Sequence, residues 1–478
     1  MLLFLILAPI FGAVIVLFIK RSNFVLIRNF SLLWSLILFN SSIYLYLTFD
    51  PTTTKFQCTN KIEWLNVANN HFVFGIDGLA LLMILLTAFL IPICIMLSWK
   101  LKNPLLTKEY VIIFLSLESI LNGVFSSLDL LVFYILFEAV LIPMYFLIGV
   151  FGSRERKIKA SYLLFLYTLF SSIIMFIAIL FLYSKFGTTN YLILAMFDLD
   201  PFTEKLCWLA FFFSFAVKMP MIPFHVWLPE AHCEAPTAGS ILLAGILLKL
   251  GGYGFLRFSL VLFPNASAFF TPFVFLLSLV GVIYASVSTL QQVDLKKIIA
   301  YSSVSHMGLV TIGIFSNNIQ GIIGSVFLMI GHGVTSSALF LAVGLLYDRY
   351  GTRVVKYYGG LANTMPLFAS CFLLFSMANI GLPITSNFIG EFFCLVACFK
   401  INSLIAFLAG FGVVLSAGYS LWLSNRILFG NLKQTSITVF RDLNRKEFAL
   451  FFPFVFLTFF LGIFPDPIID IIKSTWLL

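Results

Sequence analysis

An all-α integral membrane fold of about fourteen transmembrane helices is predicted by three observations. Hydrophobic residues make up 61% of the chain and charged residues 10%, against about 25% charged in an ordinary soluble domain. Apolar runs near the roughly 20 residues that a bilayer crossing needs recur from end to end. The longest polar connections, 49–75, 184–205 and 430–446, are each too short to fold as a soluble domain.

Cutting at polar loops gives spans at 1–19, 24–48, 76–98, 110–126, 128–150, 160–183, 206–231, 237–262, 272–290, 297–316, 320–346, 366–400, 402–429 and 447–472. The first lacks a basic segment ahead of its apolar stretch and reads as a retained span rather than a cleaved signal. The seventh carries Pro220, Pro223 and Pro229, and the twelfth carries Gly381 and Pro383. Proline removes a backbone donor and clashes with the preceding turn, so both are expected to be broken helices. Such breaks survive at membrane depth where they line a cavity or are buried in protein.

The two breaks lie five spans apart. Spans four to eight and nine to thirteen therefore form two five-helix units, inserted with opposite topology because each has an odd number of spans. The expected division is an N-terminal three-helix region (1–107), a first repeat (108–262), a second inverted repeat (263–430) and a C-terminal loop and helix (431–478). Loops after odd-numbered spans, from Lys20 to Lys446, hold twenty basic residues and those after even spans hold seven. The odd loops should face the matrix or cytoplasm, with both termini on the other side. The net charge of +9 is thus a topology signal, and no nucleic-acid partner is implied.

Seven cysteines without a CxxC pair or a cluster argue against iron–sulfur, zinc or disulfide chemistry. No Gly-rich phosphate loop follows a strand. The 58 phenylalanines suit lipid-facing surface, and also an AT-rich organelle genome.

The chemistry is carried by ionisable groups inside apolar runs. Glu138, Lys218, Lys249, His306, His332 and Glu391 each fall near the middle of a different helix. An ionised side chain there costs at least roughly 2.5–3.5 kcal/mol. One such residue is ordinarily a structural ion pair, and a lone histidine is ordinarily a packing residue. Six at one depth read as a proton relay in the membrane plane. Glu138 and Lys218 suit a buried pair, the histidines titrate nearest neutrality, and Ser302, Ser303, Ser305, Thr335, Ser336 and Ser337 offer hydroxyls along the way.

Secondary candidates are Glu118, mid-span in the fourth run, and His225 and Glu234, which flank the seventh-span break with His232 and Glu230. The His-x6-His spacing does not put both rings on one helix face, so cavity lining or loop packing is the better reading and no metal site is expected. Asp77 and Asp129 open spans, where a carboxylate complements a helix N-terminus.

The segment "KMPMIPFHVWLPEAHCEAPTAGSILLAGILLKLGGYGFLR" at 218–257 resembles the subunit 4 family of mitochondrial NADH:ubiquinone oxidoreductase (complex I). That family sits within the proton-translocating antiporter-like membrane subunits. "LFEAVLIPMYFLIGVFG" at 136–152, "LKKIIAYSSVSHMGLVTIGIFS" at 295–316, "GHGVTSSALFLAVGLLYDR" at 331–349 and "GLPITSNFIGEF" at 381–392 agree, and the likeness runs from about residue 75 onward. The resemblance implies that Glu138 and Lys218 are the helix-five and helix-seven pair and Lys249 the central lysine. It makes His306 and His332 the connecting histidines and Glu391 the terminal acid of helix twelve, where sibling subunits usually have lysine. It further implies the mitochondrial inner membrane (or a bacterial plasma membrane). Other complex I subunits would be the partners, carrying NADH, FMN, iron–sulfur clusters and ubiquinone. A subunit of a multisubunit cation/proton antiporter and a purely structural membrane subunit remain open alternatives.

Overall fold

The computed structural model describes residues 1–65, 70–101, 103–433 and 440–476. Lys102, counted among the odd-loop charges, lies outside the described residues, as do parts of the 49–75 and 430–446 connections. Among the described residues eleven helices are long and apolar enough to cross a membrane. Helices α1 (Leu2–Phe18), α2 (Phe24–Thr48), α3 (Gly78–Met96) and α4 (Thr107–Ser126) form the N-terminal group. A β-hairpin of β1 (Gln57–Leu65) and β2 (Asn70–Ile76) joins α2 to α3 where a plain loop was expected. Its signal is the alternation in "HFVFGI", too short to stand out beside the long apolar runs.

The fifth span is two helices, α5 (Leu130–Ala139) and α6 (Leu141–Phe151), continued by α7 (Lys157–Phe186). The sequence reading gave that span no break. Pro143 accounts for it: its ring presses on the carbonyl four residues back, Ala139, and the helix loosens immediately after Glu138. The expected seventh-span break is present: α8 (Pro201–Lys218) stops at the lysine, and α9 (Trp227–Glu234) resumes after a run of turns. The eighth span, α10 (Thr237–Leu262), widens into π turns at Leu243–Leu247 and Phe255–Ser259, on either side of Lys249.

The second half runs α11 (Pro264–Gln291), α12 (Leu295–Phe315) and α13 (Ile319–Tyr350). The broken pair α14 (Pro366–Ile380) and α15 (Ser386–Ile401) follows, then α16 (Ser403–Leu428). The last expected span, 447–472, is corrected. α17 (Arg445–Ile463) ends before Pro465, and α18 (Asp466–Trp476) is a separate amphipathic helix. The residue before a proline is driven out of the α region, and Phe464 stands at φ −120°, ψ 75°.

Close backbone approach sets the centre of the bundle. A methyl group on Gly245 of α10 would press on Leu90 and Ser337, and one on Gly333 of α13 would come within 3.0 Å of the Gly245 carbonyl. Small residues here let two fully buried helices meet, as in membrane bundles generally. α13 also packs tightly on α15, where Gly390 fits against Leu328.

Four basic residues counted as loop charges are buried: Arg28, Arg257, Lys296 and Arg353. Arg28 donates to the Ser98 carbonyl (3.0 Å). Arg257 pairs with Asp77, which also caps α3 through the Ala80 amide. Lys296 donates to the Ala235 carbonyl (2.7 Å), and Arg353 sits among Cys233 O, Glu234 and Asp294. Asp129 caps α5 and accepts from Thr189 at 2.6 Å. Burial nevertheless pushes its carboxyl up, against the pull of those hydrogen bonds.

Arg257→Met should strand the Asp77 carboxylate and cost on the order of 3–5 kcal/mol. The purified assembly would then show a clearly lower thermal unfolding midpoint. An unchanged midpoint would mean that the pair stabilises nothing.

Candidate functional site

Four of the six principal candidates are contiguous. The Lys249 ammonium lies 2.9 Å from Nδ1 of His332 and donates to the Ala244 carbonyl five residues back. That acceptor lies inside the first π turn. π turns displace the regular ladder and recur at functional sites. The ring of His332 is 5.5 Å from that of His306, centroid to centroid, at 51°. Nδ1 of His306 is 3.1 Å from Oε1 of Glu391, off the alignment of a good hydrogen bond. All four residues are at most 4% exposed. The line runs across α10, α13, α12 and α15, one titratable group from each.

Glu391 is placed by the twelfth-span break. Gly381 stands at φ +81° in the turn between α14 and α15, and its bare α-carbon faces the Glu391 carboxylate. A Cβ there would collide with Oε2. The glycine therefore serves the left-handed turn and the close approach of the acid together.

Glu138 and Lys218 form a looser pair. They are electrostatic neighbours without a direct ion pair within 4.0 Å. The Lys218 ammonium instead lies 4.6 Å from the centre of the Phe137 ring, a cation–π contact. Oε1 of Glu138 is buried without a hydrogen-bond partner. A cavity of about 10 Å³ beside Lys218 is also lined by Trp227, Leu243 and Leu247 of the first π turn. That is close to the smallest volume that holds one water. The six candidates thus divide into a Glu138/Lys218 pair and a Lys249–His332–His306–Glu391 line, with the π turn between them.

The secondary candidates separate. Glu118 is fully buried, and among the described residues neither of its carboxylate oxygens has a hydrogen-bond partner. His225 packs near Tyr284 and Tyr301, at 6.0 and 6.1 Å between ring centres. Glu234 belongs to the Arg353 cluster, 3.4 Å from its guanidinium. The structure adds three features to the sequence reading. His232 stacks on Phe340 at 4.5 Å with both ring nitrogens unbonded. Thr335 and Asn387 hydrogen-bond at 3.2 Å between α13 and α15. Tyr419 is buried on α16 near Glu391. The third could have been found as a tyrosine set in an apolar run, though tyrosine is too common in such runs to single it out.

Chemically, the line offers neighbouring acids and bases. A proton on Lys249 can pass to the imidazole of His332, and one on His306 to the Glu391 carboxylate. Each transfer changes charge in a low-dielectric setting, so each depends on the protonation of the next group.

The comparisons agree with this architecture. Residues 127–416 match the family described as "NADH:quinone oxidoreductase/Mrp antiporter, TM". The NADH-ubiquinone oxidoreductase chain 4 of Marchantia polymorpha is 54% identical over 98% of this chain and 95% of its own length. That of Metridium senile is 48% identical over 97% and 95%. A chain of respiratory complex I from Thermus thermophilus superposes with a TM-score of 0.88 at 28% identity, covering 99% of this chain and all of that one. A chain of the Mrp complex from Dietzia sp. DQ12-45-1b superposes equally well at 19% identity, covering 99% and 96%, and so shares the fold. With more than half of its length matched by the family and relatives alike from end to end, the chain belongs to the NADH-ubiquinone oxidoreductase chain 4 family of antiporter-like membrane subunits.

Proposed function

We propose that this chain is a proton-translocating membrane-arm subunit of respiratory complex I. In it, a relay from Glu138 and Lys218 through Lys249, His332 and His306 to Glu391 couples NADH:ubiquinone oxidoreduction to proton movement. The contiguous Lys249–His332–His306–Glu391 line carries this reading. The chain carries out no redox step in it. NADH, FMN, iron–sulfur clusters and ubiquinone belong to partner subunits, and neighbouring antiporter-like subunits and lipid surround it. The setting is the mitochondrial inner membrane with both termini toward the intermembrane space, as the odd-loop excess of basic residues suggests.

The chemistry follows from burial. A lysine without a counter-ion in hydrocarbon favours its neutral form, and a nearby carboxylate favours the charged form. Moving Glu138 toward Lys218 would therefore hold a proton on Lys218, and separation would release it toward Lys249. The helix interruption at Val140, two residues past Glu138, and the end of α8 at Lys218 stand where such a movement would occur. The second reading, a subunit of a cation/proton antiporter, has the shared fold in its favour. Relatives of 48–54% identity along nearly the whole chain weigh for complex I. Copurification with redox subunits separates the two.

Glu138→Gln or Lys218→Ala should reduce protons pumped per NADH oxidised by at least several-fold in normally assembled complex; undiminished pumping would sink the relay. Gly381→Ala should displace the Glu391 carboxylate and lower pumping in the same assay without altering any titratable group. Full pumping by that variant would show that the acid's position at the break is immaterial.

A further inference from the structure

Lys296 is a buried lysine that the line does not include. It stands at the start of α12 and is 2% exposed. Its ammonium donates to the Ala235 carbonyl at 2.7 Å and to the Ser240 hydroxyl at 3.3 Å. Neither acceptor is a carboxylate. Lys296 also lines a cavity of about 360 Å³, with Asn103, Tyr110, Ser153, Thr237 and Asp348. That volume is far above the roughly 10–15 Å³ that one water needs. Each of these residues lies in an odd loop or at the odd-loop end of its helix, and Asn103 and Ser153 are exposed. The cavity therefore opens toward the odd-loop face, with Lys296 in its buried wall.

Lys296 and Lys249 are attached to the same stretch of α10. Lys296 holds Ser240, and Lys249 reaches back to the Ala244 carbonyl. Side chains tilt toward the N-terminus of their helix, and that of α10 is its odd-loop end, so Lys249 leans toward the cavity. The two attachment points are one turn, or about 6 Å of rise, apart. The interval between them is polar. Ser240 donates to the His232 carbonyl at 3.1 Å, and Ser337 of α13 donates to the Ile241 carbonyl at 3.2 Å. Gly245 keeps the Ser337 hydroxyl uncovered on that side, since a methyl group there would come within 2.9 Å of it. The His232 ring stacks on Phe340, less than one turn along α13 from Ser337, and both of its nitrogens are buried without a hydrogen-bond partner.

We propose that Lys296 is the proton-exchange group between the odd-loop face and the relay, taking protons from water in this cavity and passing them to Lys249. The proposal rests on Lys249 being a member of the relay. In the transfer an N–H bond of the Lys296 ammonium breaks, and its proton crosses the polar interval through water held by Ser337 and His232. A new N–H bond forms on the neutral amine of Lys249, which is the accepting base. Lys296 is left as a neutral amine and takes its next proton from water in the cavity. One positive charge has then moved inward from the cavity wall to the central line.

The test uses the assembled complex and compares two replacements. Lys296→Gln removes the exchangeable charge and keeps a donor for the Ala235 carbonyl. Lys296→Arg keeps both charge and donors, yet a guanidinium does not give up its proton. Each should lower the protons pumped per NADH oxidised at least three-fold at normal assembly. Normal pumping by Lys296→Gln would overturn the proposal. Full rescue by Lys296→Arg would overturn it too, because a fixed charge would then suffice. Should neither variant assemble, Ser153→Trp fills the exposed mouth of the cavity and leaves Lys296 in place. Pumping should fall there by the same factor, and normal pumping would again overturn the proposal. Lys249→Met, measured in parallel, separates the failures. If it pumps normally, the relay reading itself falls; if it alone is defective, only the role of Lys296 falls.

Discussion

The cost of placing charge in hydrocarbon governs this molecule. Each buried ionisable group must be neutral, paired or held by polar backbone, or it would not remain in the bilayer. The chain uses pairing and polar backbone. Arg257 is paired with Asp77, and Arg353 is enclosed by Glu234, Asp294 and a carbonyl. Lys249 is held by a π-turn carbonyl and an imidazole. The breaks, π turns and close-packed glycines around them are the backbone's adjustments to those requirements.

The two kinds of buried charge differ in what they can do. The pairs of Arg257 and Arg353 tie elements together: Asp77 to α10, and the end of α9 to the start of α12 and the segment after α13. The Lys, His and Glu groups of the central line can lose or gain a proton. A line built from such groups responds to each transfer by changing the charge that its neighbours feel. Geometry then decides direction. Lys249 and His332 are close enough to share a proton, whereas Glu138 and Lys218 are near without touching. The close segment and the looser pair are thus distinct, and the looser pair lies at the helix interruptions.

Much of this was legible in the amino-acid order. The long apolar runs located the spans within a few residues, because a bilayer demands length and hydrophobicity from each segment independently. Pro220, Pro223, Gly381 and Pro383 announced the breaks for the same local reason. Lys218, Lys249, Glu138 and Glu391 stood out because ionised groups are rare in such runs. The hairpin β1–β2 and the stop before Pro465 were less legible. The first is a short alternation among stronger signals, and the second is a proline near a terminus, where an apolar run continues on both sides.

What one dimension determined was therefore the set of helices, their interruptions and the ionisable residues they carry, since each depends on neighbours a few positions away. What only the tertiary structure decided was which of those residues meet. Lys249 and His332 are 83 positions apart, and His306 and Glu391 are 85 apart. Their contacts exist because Gly245 lets α10 reach α13 and Gly381 lets the acid close on its own helix break. Arg257 and Arg353, which the count of basic residues assigned to the membrane faces, are drawn inside by partners from distant elements. Contact between remote helices is set by the packing of small residues against backbone, and no local pattern encodes it.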